Sequence, residues 1–364
     1  MCPLAVQWQE NLTKQNWIEC GIFQTEVPYS FVEEMPVQEI LQKYGEGGIV
    51  GIQIPLLDLT ADHFVEVLEK CEALGVSYLV LETMEVTRRE YLLDLVEEVG
   101  AMLSMDELPI YIENGCRMLR PRYYVHGPFS DAGALLEIEQ ACNDLSGTTR
   151  FGICFSPGYA NLLGQNIRGM VMKLQSHIKL LHVNENDGFQ NDKQMPYTFT
   201  STRNINSIEW SSVIGELQKA GFAGPIVFDV EGLFAMTPEP LQAQMLRLLA
   251  TIGKEWSMHL FYEEFLNQGK QIVLFGAGKM MLNYLISWGN RFPPAFVVDN
   301  NEAAWGEVRE GVRIQGPQEI LKIPPEERLV LVCNMHYDEI GQQLKQLGIQ
   351  EFYNYYDHYF TYLP

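Results

Sequence analysis

Residues 49–83, IVGIQIPLLDLTADHFVEVLEKCEALGVSYLVLET, contain two short apolar runs on either side of an amphipathic segment. The runs at 49–56 and 78–83 are rich in β-branched and other apolar residues, which indicates buried strands. Between them, apolar residues recur at helical spacing, at Phe64, Val67, Leu68, Cys71 and Leu74. Gly75 follows, at the place where a glycine commonly ends a helix. The stretch therefore predicts a strand–helix–strand unit.

The same alternation continues along the chain. Further strands are expected at residues 17–23, 110–114, 152–155, 178–183 and 226–231, with a short strand or a loop at 123–127. Helical patterns separate these runs, for example over residues 89–103 and 130–145. Because strands and helices alternate over about 250 residues, the sequence predicts a TIM-type (β/α)₈ barrel. Residues 1–48 mark their strands weakly, so the barrel is expected to be irregular or one unit short.

The composition is that of a folded and strongly acidic protein. The 364 residues include 25 Lys and Arg against 47 Asp and Glu, a net charge of −22, and 47% are hydrophobic. Such a charge repels phosphate backbones and anionic lipid head groups, so neither nucleic acid nor a membrane is expected as a partner. The length suggests two domains, or a barrel with one smaller domain.

The seven cysteines are scattered and form no CxxC pair, which is typical of reduced thiols rather than of a disulfide framework or a zinc knuckle. The first residues have neither the basic nor the apolar segment of a signal peptide, and no apolar run reaches about 18 residues. A cytoplasmic location is therefore expected.

A second α/β unit is predicted after about residue 268. Residues 271–278, QIVLFGAG, combine a buried strand with a glycine turn, and further strands are expected at 295–299, 329–334 and 351–354. This order predicts a small Rossmann-like three-layer α/β domain over residues 269–364. It would follow a barrel domain at 1–253 and a helical linker at 254–268.

The glycine turn of this second domain is a candidate nucleotide site. Gly276 and Gly278 lie between a strand and a helix, where backbone amides bind phosphate. Asp299 ends the next strand, near the spacing of a ribose-binding acid. Met281 departs from the third glycine of G-x-G-x-x-G. A nucleotide or NAD bound by Gly276, Gly278 and Asp299 is one interpretation; a turn used only for packing or dimer contacts is the other.

Polar residues gather at the carboxyl ends of the predicted barrel strands, where the active sites of TIM barrels lie. They are Glu82, Glu113, Ser156, Tyr159, His182, Asn184, Glu185, Asp229 and Glu231. Because side chains alternate along a strand, His182 and Asn184 are expected to share one face, as are Asp229 and Glu231. Acidic groups and a histidine on one rim could hold a divalent cation. Ordinary solvated rim residues are the alternative.

Four segments of the barrel region carry a family pattern. They are IYIENG at 110–115, GICFSPGYANLLGQN at 152–166, IKLLHVNENDG at 178–188 and IEWSSVIGELQKAGFAGPIVFDVE at 208–231. Together they resemble the xylose-isomerase-like sugar isomerases and epimerases, which include relatives of endonuclease IV, over roughly residues 17–235. The resemblance implies a barrel that binds a divalent metal through Glu, Asp, His and Glu. It also implies transfer of a proton or hydride between adjacent sugar carbons.

The resemblance assigns Glu113 and Glu231 to the first and last metal-binding positions. Ser156 stands where the family has a metal-binding Asp. His182 matches the first histidine of an H-x-H segment, while Asn184 stands at the second, which is usually the ligand. The resemblance thus implies Mn, Co, Mg or Zn held by Glu113, His182 and Glu231, or a site that works without metal.

The resemblance also implies catalytic and substrate-binding roles. Glu113 and Glu231 are the expected acid/base pair beside the sugar, with His182 as a third catalytic group. Proton abstraction next to a carbonyl also needs donors that hold the enediolate oxygen. The expected substrate-binding residues are His126, Tyr159, Asn184, Asp187 and Arg203. The polar loop at 184–199 is long enough for a lid, or is a solvated surface loop.

The C-terminal domain carries a pattern of its own. After the glycine turn come VDNN at 298–301, GVRI at 311–314 and a final helix at 338–347. This order resembles small Rossmann-like modules appended to sugar-modifying and polysaccharide-assembly enzymes. The aromatic residues at 353–362 are expected to pack on the barrel or on another subunit, which leaves a homodimer open.

The expected function is a sugar isomerase or epimerase acting on a free, phosphorylated or nucleotide-linked small-molecule sugar. The alternative is a non-catalytic carbohydrate- or nucleotide-binding protein that kept the barrel and lost the metal, which Ser156 and Asn184 favour. A nuclease like endonuclease IV is disfavoured by the net charge of −22 and the missing metal histidines.

Overall fold

Eight parallel strands close into a barrel in this computed structural model, which describes residues 4–7, 18, 20, 22, 24–103, 107–199 and 207–355. The chain divides into two units, Met1–Leu260 and Phe261–Pro364, and the barrel lies in the first. Within the barrel the first strand pairs with both the second and the last. The first unit is therefore a TIM barrel, and all eight strands are present.

The barrel strands alternate with helices in chain order. The strands are β1 (Leu4–Gln7), β2 (Gln24–Pro28), β3 (Ile49–Pro55), β4 (Tyr78–Glu82), β5 (Ile110–Glu113), β8 (Phe151–Phe155), β9 (Ile178–Val183) and β10 (Ile226–Phe228). An antiparallel hairpin of β6 (Cys116–Arg120) and β7 (Tyr123–His126) follows β5.

The helices of this unit are α1 (Tyr29–Val32), α2 (Val37–Tyr44), α3 (Ala61–Leu74), α4 (Glu90–Leu103), α5 (Ala132–Ser146), α6 (Pro157–Leu162), α7 (Ile167–Leu174), α8 (Trp210–Lys219), α9 (Glu231–Met236) and α10 (Glu239–Leu260). Local signals set their ends. The Thr60 side chain accepts a hydrogen bond from the backbone of His63 at the start of α3, and Gly75 ends that helix at φ 64°. Among the described residues, no helix is long and apolar enough to cross a membrane.

Every second residue of a barrel strand points into the barrel. Tyr78 and Val80 of β4, Cys154 of β8, Leu180 of β9 and Val227 of β10 belong to one buried cluster. One step further along the same strands the alternation reaches polar residues. The interior is thus mainly apolar toward the amino ends of the strands and polar toward their carboxyl ends, where a site can form.

Two predicted strands are wrong in their positions. Ile18 and Cys20 are helical, and the barrel strand of this region is β2, Gln24–Pro28. A short apolar run such as 17–23 does not distinguish a strand from a helix by its period. At the other end of the barrel, β10 stops at Phe228, and Glu231 begins α9. Asp229 and Glu231 therefore do not share a strand face, contrary to expectation.

The second unit contains a six-stranded sheet. Its strands are β11 (Gln271–Phe275), β12 (Phe296–Val298), β13 (Val308–Arg309), β14 (Val312–Gln315), β15 (Arg328–Val332) and β16 (Tyr353–Asn354). They lie in the order β13-β14-β12-β11-β15-β16, and every neighbouring pair is parallel except β13 with β14. The helices are α11 (Tyr262–Leu266), α12 (Lys279–Ser287) and α13 (Tyr337–Gln346).

Both faces of this sheet are covered. Ile272 and Leu274 of β11 belong to one buried cluster, and Val273 and Phe275 belong to another. Of the C-terminal aromatic residues, Tyr355 packs inside this unit, with its ring centroid 5.4 Å from that of Tyr284 and 6.1 Å from that of Tyr262. Residues 356–362 lie outside the described part of the chain.

Gly51 of β3 offers a test of barrel packing. A Cβ atom at position 51 would lie 2.1 Å from Cε2 of Tyr78, whose ring is buried. Gly51→Ala is therefore expected to lower the free energy of unfolding by about 1–3 kcal/mol, measured by urea denaturation. Gly215→Ala in α8, where nothing lies within 4 Å of the added Cβ, is the control and should not destabilise. Equal losses at both positions would contradict the packing.

Candidate active site

Two groups of polar side chains lie at the carboxyl ends of the barrel strands. The inner cluster comprises Glu26, Glu113, Cys154 and His182, all fully buried. The outer cluster comprises Glu82, Ser156, Asn184, Lys193 and Asp229. Strand alternation explains most of the arrangement, because Cys154 and Ser156, and likewise His182 and Asn184, are two residues apart on β8 and β9 or just beyond them.

His182 lies between two carboxylates in the inner cluster. Its Nδ1 lies 2.7 Å from Oε1 of Glu113, and its Nε2 lies 3.1 Å from Oε1 of Glu26. Gln53 of β3 donates a hydrogen bond to the other oxygen of Glu113 at 3.3 Å. Because each ring nitrogen faces a carboxylate oxygen, the doubly protonated imidazolium donates a hydrogen bond on both sides.

The charges of the inner cluster support this assignment. Burial alone would lower the pKa of His182, but Cys154, Glu26 and Glu113 outweigh burial and hold that pKa well above its ordinary value. Burial raises the pKa of Glu113, and the contact with His182 opposes the rise. Burial also raises the pKa of the Cys154 thiol to about 12, although the nearby His182 opposes the rise. The inner cluster is therefore one buried cation between two acidic groups.

The outer cluster contains a second cation. The Lys193 ammonium lies 3.1 Å from Oδ2 of Asp229, just past β10, and both side chains are largely buried. Asn184 donates to Ser156 Oγ at 3.2 Å and to the same oxygen of Asp229 at 3.3 Å. Lys193 comes from the loop after β9, so this loop delivers a positive charge to the mouth of the barrel.

A cleft of about 400 Å³ opens at the carboxyl ends of the first four strands. Gln7, Gln53, Glu82, Lys193 and Glu231 are among the residues that line it. Burial, with a contribution from Glu113, raises the pKa of Glu82 to about 7, although Lys193 opposes the rise. A carboxyl group with this pKa takes up and releases protons at neutral pH, as a general acid and base must.

The inner cluster has donors close enough to share a metal ion, since ligand atoms of Glu113, Cys154 and His182 lie within 4.8 Å of one another. However, both ring nitrogens of His182 face carboxylates, at 2.7 and 3.1 Å, whereas a metal requires an imidazole lone pair. In the outer cluster the Lys193 ammonium already neutralises Asp229. The donor set therefore does not fit a divalent cation.

Glu113 and Glu231, the expected acid/base and metal-binding pair, lie in different surroundings, and their joint role stays a prediction. Glu113 is 0% exposed and is engaged by His182 below the cleft. Glu231 is exposed at the start of α9 and lines the cleft. The chain leaves β10 at Phe228 and turns into the helix, which carries Glu231 away from the strand end. The buried cluster that shares most residues with the expected metal ligands consists of Glu113, Cys154 and His182.

The expected substrate-binding residues do not form one group in the structure. Asn184 belongs to the outer cluster, and Tyr159 is buried at 1% exposure in α6. His126 is exposed at the end of β7 and does not line the cleft. Asp187 accepts hydrogen bonds from backbone amides of its own loop. Arg203 lies outside the described residues.

Sequence reasoning missed part of the site. Glu82 and Asp229 stand at strand ends but were not selected as catalytic, because nothing in the sequence shows how deeply each is buried. The sequence does not indicate Glu26, because it predicts the strand at 17–23 rather than at Gln24–Pro28. Lys193 lies in a polar loop of sixteen residues, 184–199, and no local pattern distinguishes it from the other charged residues there.

In the second unit, Asp299 holds the glycine turn. Its Oδ2 accepts a hydrogen bond from the backbone amide of Ala277 at 2.7 Å, and its Oδ1 accepts one from Asn301 at 2.8 Å. Gly276 has φ 114°, and a Cβ there would lie 2.6 Å from the carbonyl oxygen of Cys333. These contacts explain the turn through packing, and nucleotide binding by Gly276, Gly278 and Asp299 stays a prediction.

No protein-family model and no curated protein matches this chain. Among solved structures, the 3-keto-D-glucoside 4-epimerase YcjR from E. coli is 12% identical and covers 69% of this chain and 100% of its own, with a TM-score of 0.51. D-Psicose 3-epimerase in the presence of D-fructose is 10% identical over 69% of this chain and 98% of its own, with a TM-score of 0.52. A xylose isomerase domain protein from Alicyclobacillus acidocaldarius is 16% identical over 71% and 99%, with a TM-score of 0.50. At such identities the likeness concerns the fold, and the first unit has the TIM-barrel fold of these structures.

Proposed function

We propose that the barrel unit is a carbohydrate isomerase or epimerase that moves a proton by means of a strand-end carboxyl group. The observation that carries the proposal is Glu82, which lines the cleft and whose pKa is raised to about 7. The epimerase names of two structures with the same barrel support the reaction type. The fold alone would not, because TIM barrels host many chemistries.

The proposed reaction begins with a carbonyl sugar in the cleft. The Glu82 carboxylate removes a proton from the carbon next to the carbonyl, and an enediolate forms as Glu82 becomes a carboxylic acid. Return of that proton to the neighbouring carbon, together with transfer of the hydroxyl proton from one enediolate oxygen to the other, completes an isomerisation. Donation of a proton from the opposite side completes an epimerisation, and Glu231 on the same cleft is the candidate for that second group. Neither outcome requires an oxidant or a reductant.

The charge of the cleft indicates which sugars it accepts. Four acidic residues line it, Glu33, Asp58, Glu82 and Glu231. Of its two basic residues, Lys193 is paired with Asp229, and His63 lies 3.7 Å from Glu33. The acidic residues of the cleft would repel a phosphate group. We therefore expect the substrate to be an uncharged sugar or an amino sugar rather than a phosphorylated or nucleotide-linked one.

Deuterium exchange tests the proposed function. The full chain is incubated in D₂O at about pH 8, above the pKa of Glu82, with neutral aldoses and ketoses, amino sugars and sugar phosphates. We expect carbon-bound deuterium, detected by NMR or mass spectrometry, in at least one uncharged or amino sugar and not in its phosphate. Binding of a sugar without exchange into any member of the panel would contradict an enzyme.

That contrary result would support the second candidate, a non-catalytic carbohydrate-binding protein. Ser156 and Asn184 favour it, because they form a neutral hydrogen-bonded pair at the ends of two barrel strands. A binding site needs such fixed polar groups and no group that exchanges protons. Glu82 favours the enzyme, because burying a carboxyl group in a cleft is costly and serves binding of an uncharged ligand poorly.

For the second unit we propose a Rossmann-like fold. Its parallel strands, numbered from β11, lie in the order 3-2-1-4-5, as in the dinucleotide-binding fold. The proposed domain limits stay at 1–253 and 269–364, with a linker between them. Titration with NAD and nucleotide sugars, compared with Gly278→Val, tests whether the glycine turn binds a ligand.

A further inference from the structure

We infer that the Lys193 ammonium, rather than a divalent cation, supplies the positive charge that stabilises the enediolate oxygen in this barrel. The inference deepens the proposed function and rests on it. It assigns Lys193 as a catalytic residue that touches the substrate. The substrate class is an α-hydroxy aldehyde or ketone, whose oxygen becomes negative when the neighbouring carbon loses its proton.

The position of the ammonium supports this role. Lys193 and Glu82 line the same cleft, so the proposed base and the proposed cation face one substrate. The Lys193 side chain is 17% exposed and lies 3.1 Å from Asp229. An ammonium has three N–H donors, and Asp229 accepts one of them. The remaining donors are available to an oxygen in the cleft.

The surroundings keep Lys193 charged. Burial alone would lower the pKa of Lys193, but Asp229, Glu82 and Glu113 outweigh burial and raise that pKa above its ordinary value. A cation in a site from which water is largely excluded interacts strongly with a developing anion. The group is therefore a permanent positive charge at neutral pH, as a bound metal ion would be.

The backbone of the loop after β9 holds Lys193 at the cleft. Lys193 itself has φ 43°, a left-handed conformation that costs a residue with a side chain about 1–3 kcal/mol. The loop is fixed by paired backbone hydrogen bonds between Glu185 and Gln194, at 2.8 and 2.9 Å. At Gly232 of α9 a Cβ would lie 1.7 Å from the carbonyl oxygen of Asp192. The loop thus packs against α9 in a way that only glycine permits.

The other buried cation cannot take this role. His182 is 0% exposed, does not line the cleft, and has both ring nitrogens occupied by Glu26 and Glu113. The positive charge of His182 is therefore neutralised by Glu26 and Glu113. Among the described residues that line the cleft, Lys193 and His63 are the basic ones, and His63 lies beside Glu33. Lys193 is therefore the cation that a substrate oxygen meets next to Glu82.

The test compares Lys193→Met and Lys193→Arg with wild type, with Lys219→Met as the control on the surface of α8. In the exchange assay we expect Lys193→Met to be slower by about 10²–10³-fold and Lys193→Arg to keep part of the activity. Lys219→Met should match wild type. Dialysis against a chelator should leave the wild-type rate unchanged. Chelator-sensitive activity that returns with Mn²⁺, or an unchanged rate in Lys193→Met, would overturn the inference.

A second readout is independent of turnover. Burial, Glu113 and Asp229 raise the pKa of Glu82, whereas Lys193 and His182 lower it. The Glu82 carboxyl group should therefore titrate at higher pH in Lys193→Met, where the lysine charge is gone. This is followed by ¹³C NMR of the carboxyl carbon. An unchanged midpoint would overturn the inference. The double variant Lys193→Met/Asp229→Asn avoids an unpaired carboxylate if the single variant unfolds, and the same upward shift is expected relative to Asp229→Asn alone.

These readouts also separate the inference from the proposed function. Suppose that wild type exchanges no sugar but the titration midpoint of Glu82 still moves in Lys193→Met. The proposed function and the catalytic role of Lys193 are then both wrong, although the electrostatic effect of Lys193 on Glu82 is confirmed. If wild type exchanges a sugar and Lys193→Met exchanges it equally fast, the proposed function stands and the inference alone is wrong.

Discussion

Glu82→Gln is expected to slow exchange of the carbon-bound proton by about 10²–10⁴-fold, because a glutamine has the shape of the glutamate but cannot accept a proton from carbon. In wild type the rate should rise with pH through about 7, the pKa to which burial and Glu113 raise Glu82. The direction follows from the chemistry, since the carboxylate is the base and is the form present above the pKa. The variant should lose this dependence together with the rate.

A folding defect would not produce the same result. The raised pKa means that the folded protein binds a proton at Glu82 more tightly than the unfolded chain does, so ionised Glu82 destabilises the fold at higher pH. Removing that ionisation should leave the urea midpoint at about pH 8 equal to or higher than that of wild type. Glu72→Gln, an exposed carboxyl group of α3 outside the cleft, is the matched control and should keep the rate. Exchange in Glu82→Gln at the wild-type rate would remove Glu82 from the mechanism.

The barrel could be predicted because its signals are local and repeated. Apolar runs such as 78–83 and 178–183 lie within one residue of β4 and β9, and the Gly75 signal marks the end of α3. The prediction is poorest where an element is short or lies beside another one. Of the three described positions in 17–23, Ile18 and Cys20 are helical and Ile22 is in neither a helix nor a strand. At 229–231 the chain turns from strand to helix within three residues.

The site could be predicted only in part. The sequence indicates Glu113 and His182, which end apolar strands, and these two side chains do lie together. Their partner Glu26 is 156 residues from His182, and Lys193 of the loop after β9 lies 3.1 Å from Asp229 just past β10. Such pairings depend on which strands become neighbours and how a loop folds back, and no spacing in the sequence encodes them. Burial, which sets the pKa of Glu82, is likewise a property of the whole fold.

His182→Leu is expected to lower the free energy of unfolding by about 3–5 kcal/mol at neutral pH, measured by urea denaturation. The side chain is 0% exposed, and its removal leaves Glu26 and Glu113 facing an apolar group with no cation between them. His177→Ala is the matched control. His177 also lies 2.6 Å from a glutamate, Glu139, but its side chain is 48% exposed, so its loss should cost below about 1 kcal/mol.

The pH dependence distinguishes a lost charge from a lost side-chain volume. In wild type the folded-state pKa of His182 is raised, so its stabilisation is fully present below the ordinary pKa and is lost as pH rises through the folded-state pKa. In His182→Leu the buried Glu113 carboxyl group, whose pKa burial already raises, can be neutralised by protonation, so the deficit in the free energy of unfolding should shrink as pH falls. Adding Glu26→Gln and Glu113→Gln to the variant should recover part of the loss at neutral pH, because the buried charges are then gone. A deficit that is constant with pH and unaffected by the glutamines would instead mean that His182 acts through packing, and the imidazolium assignment would be wrong.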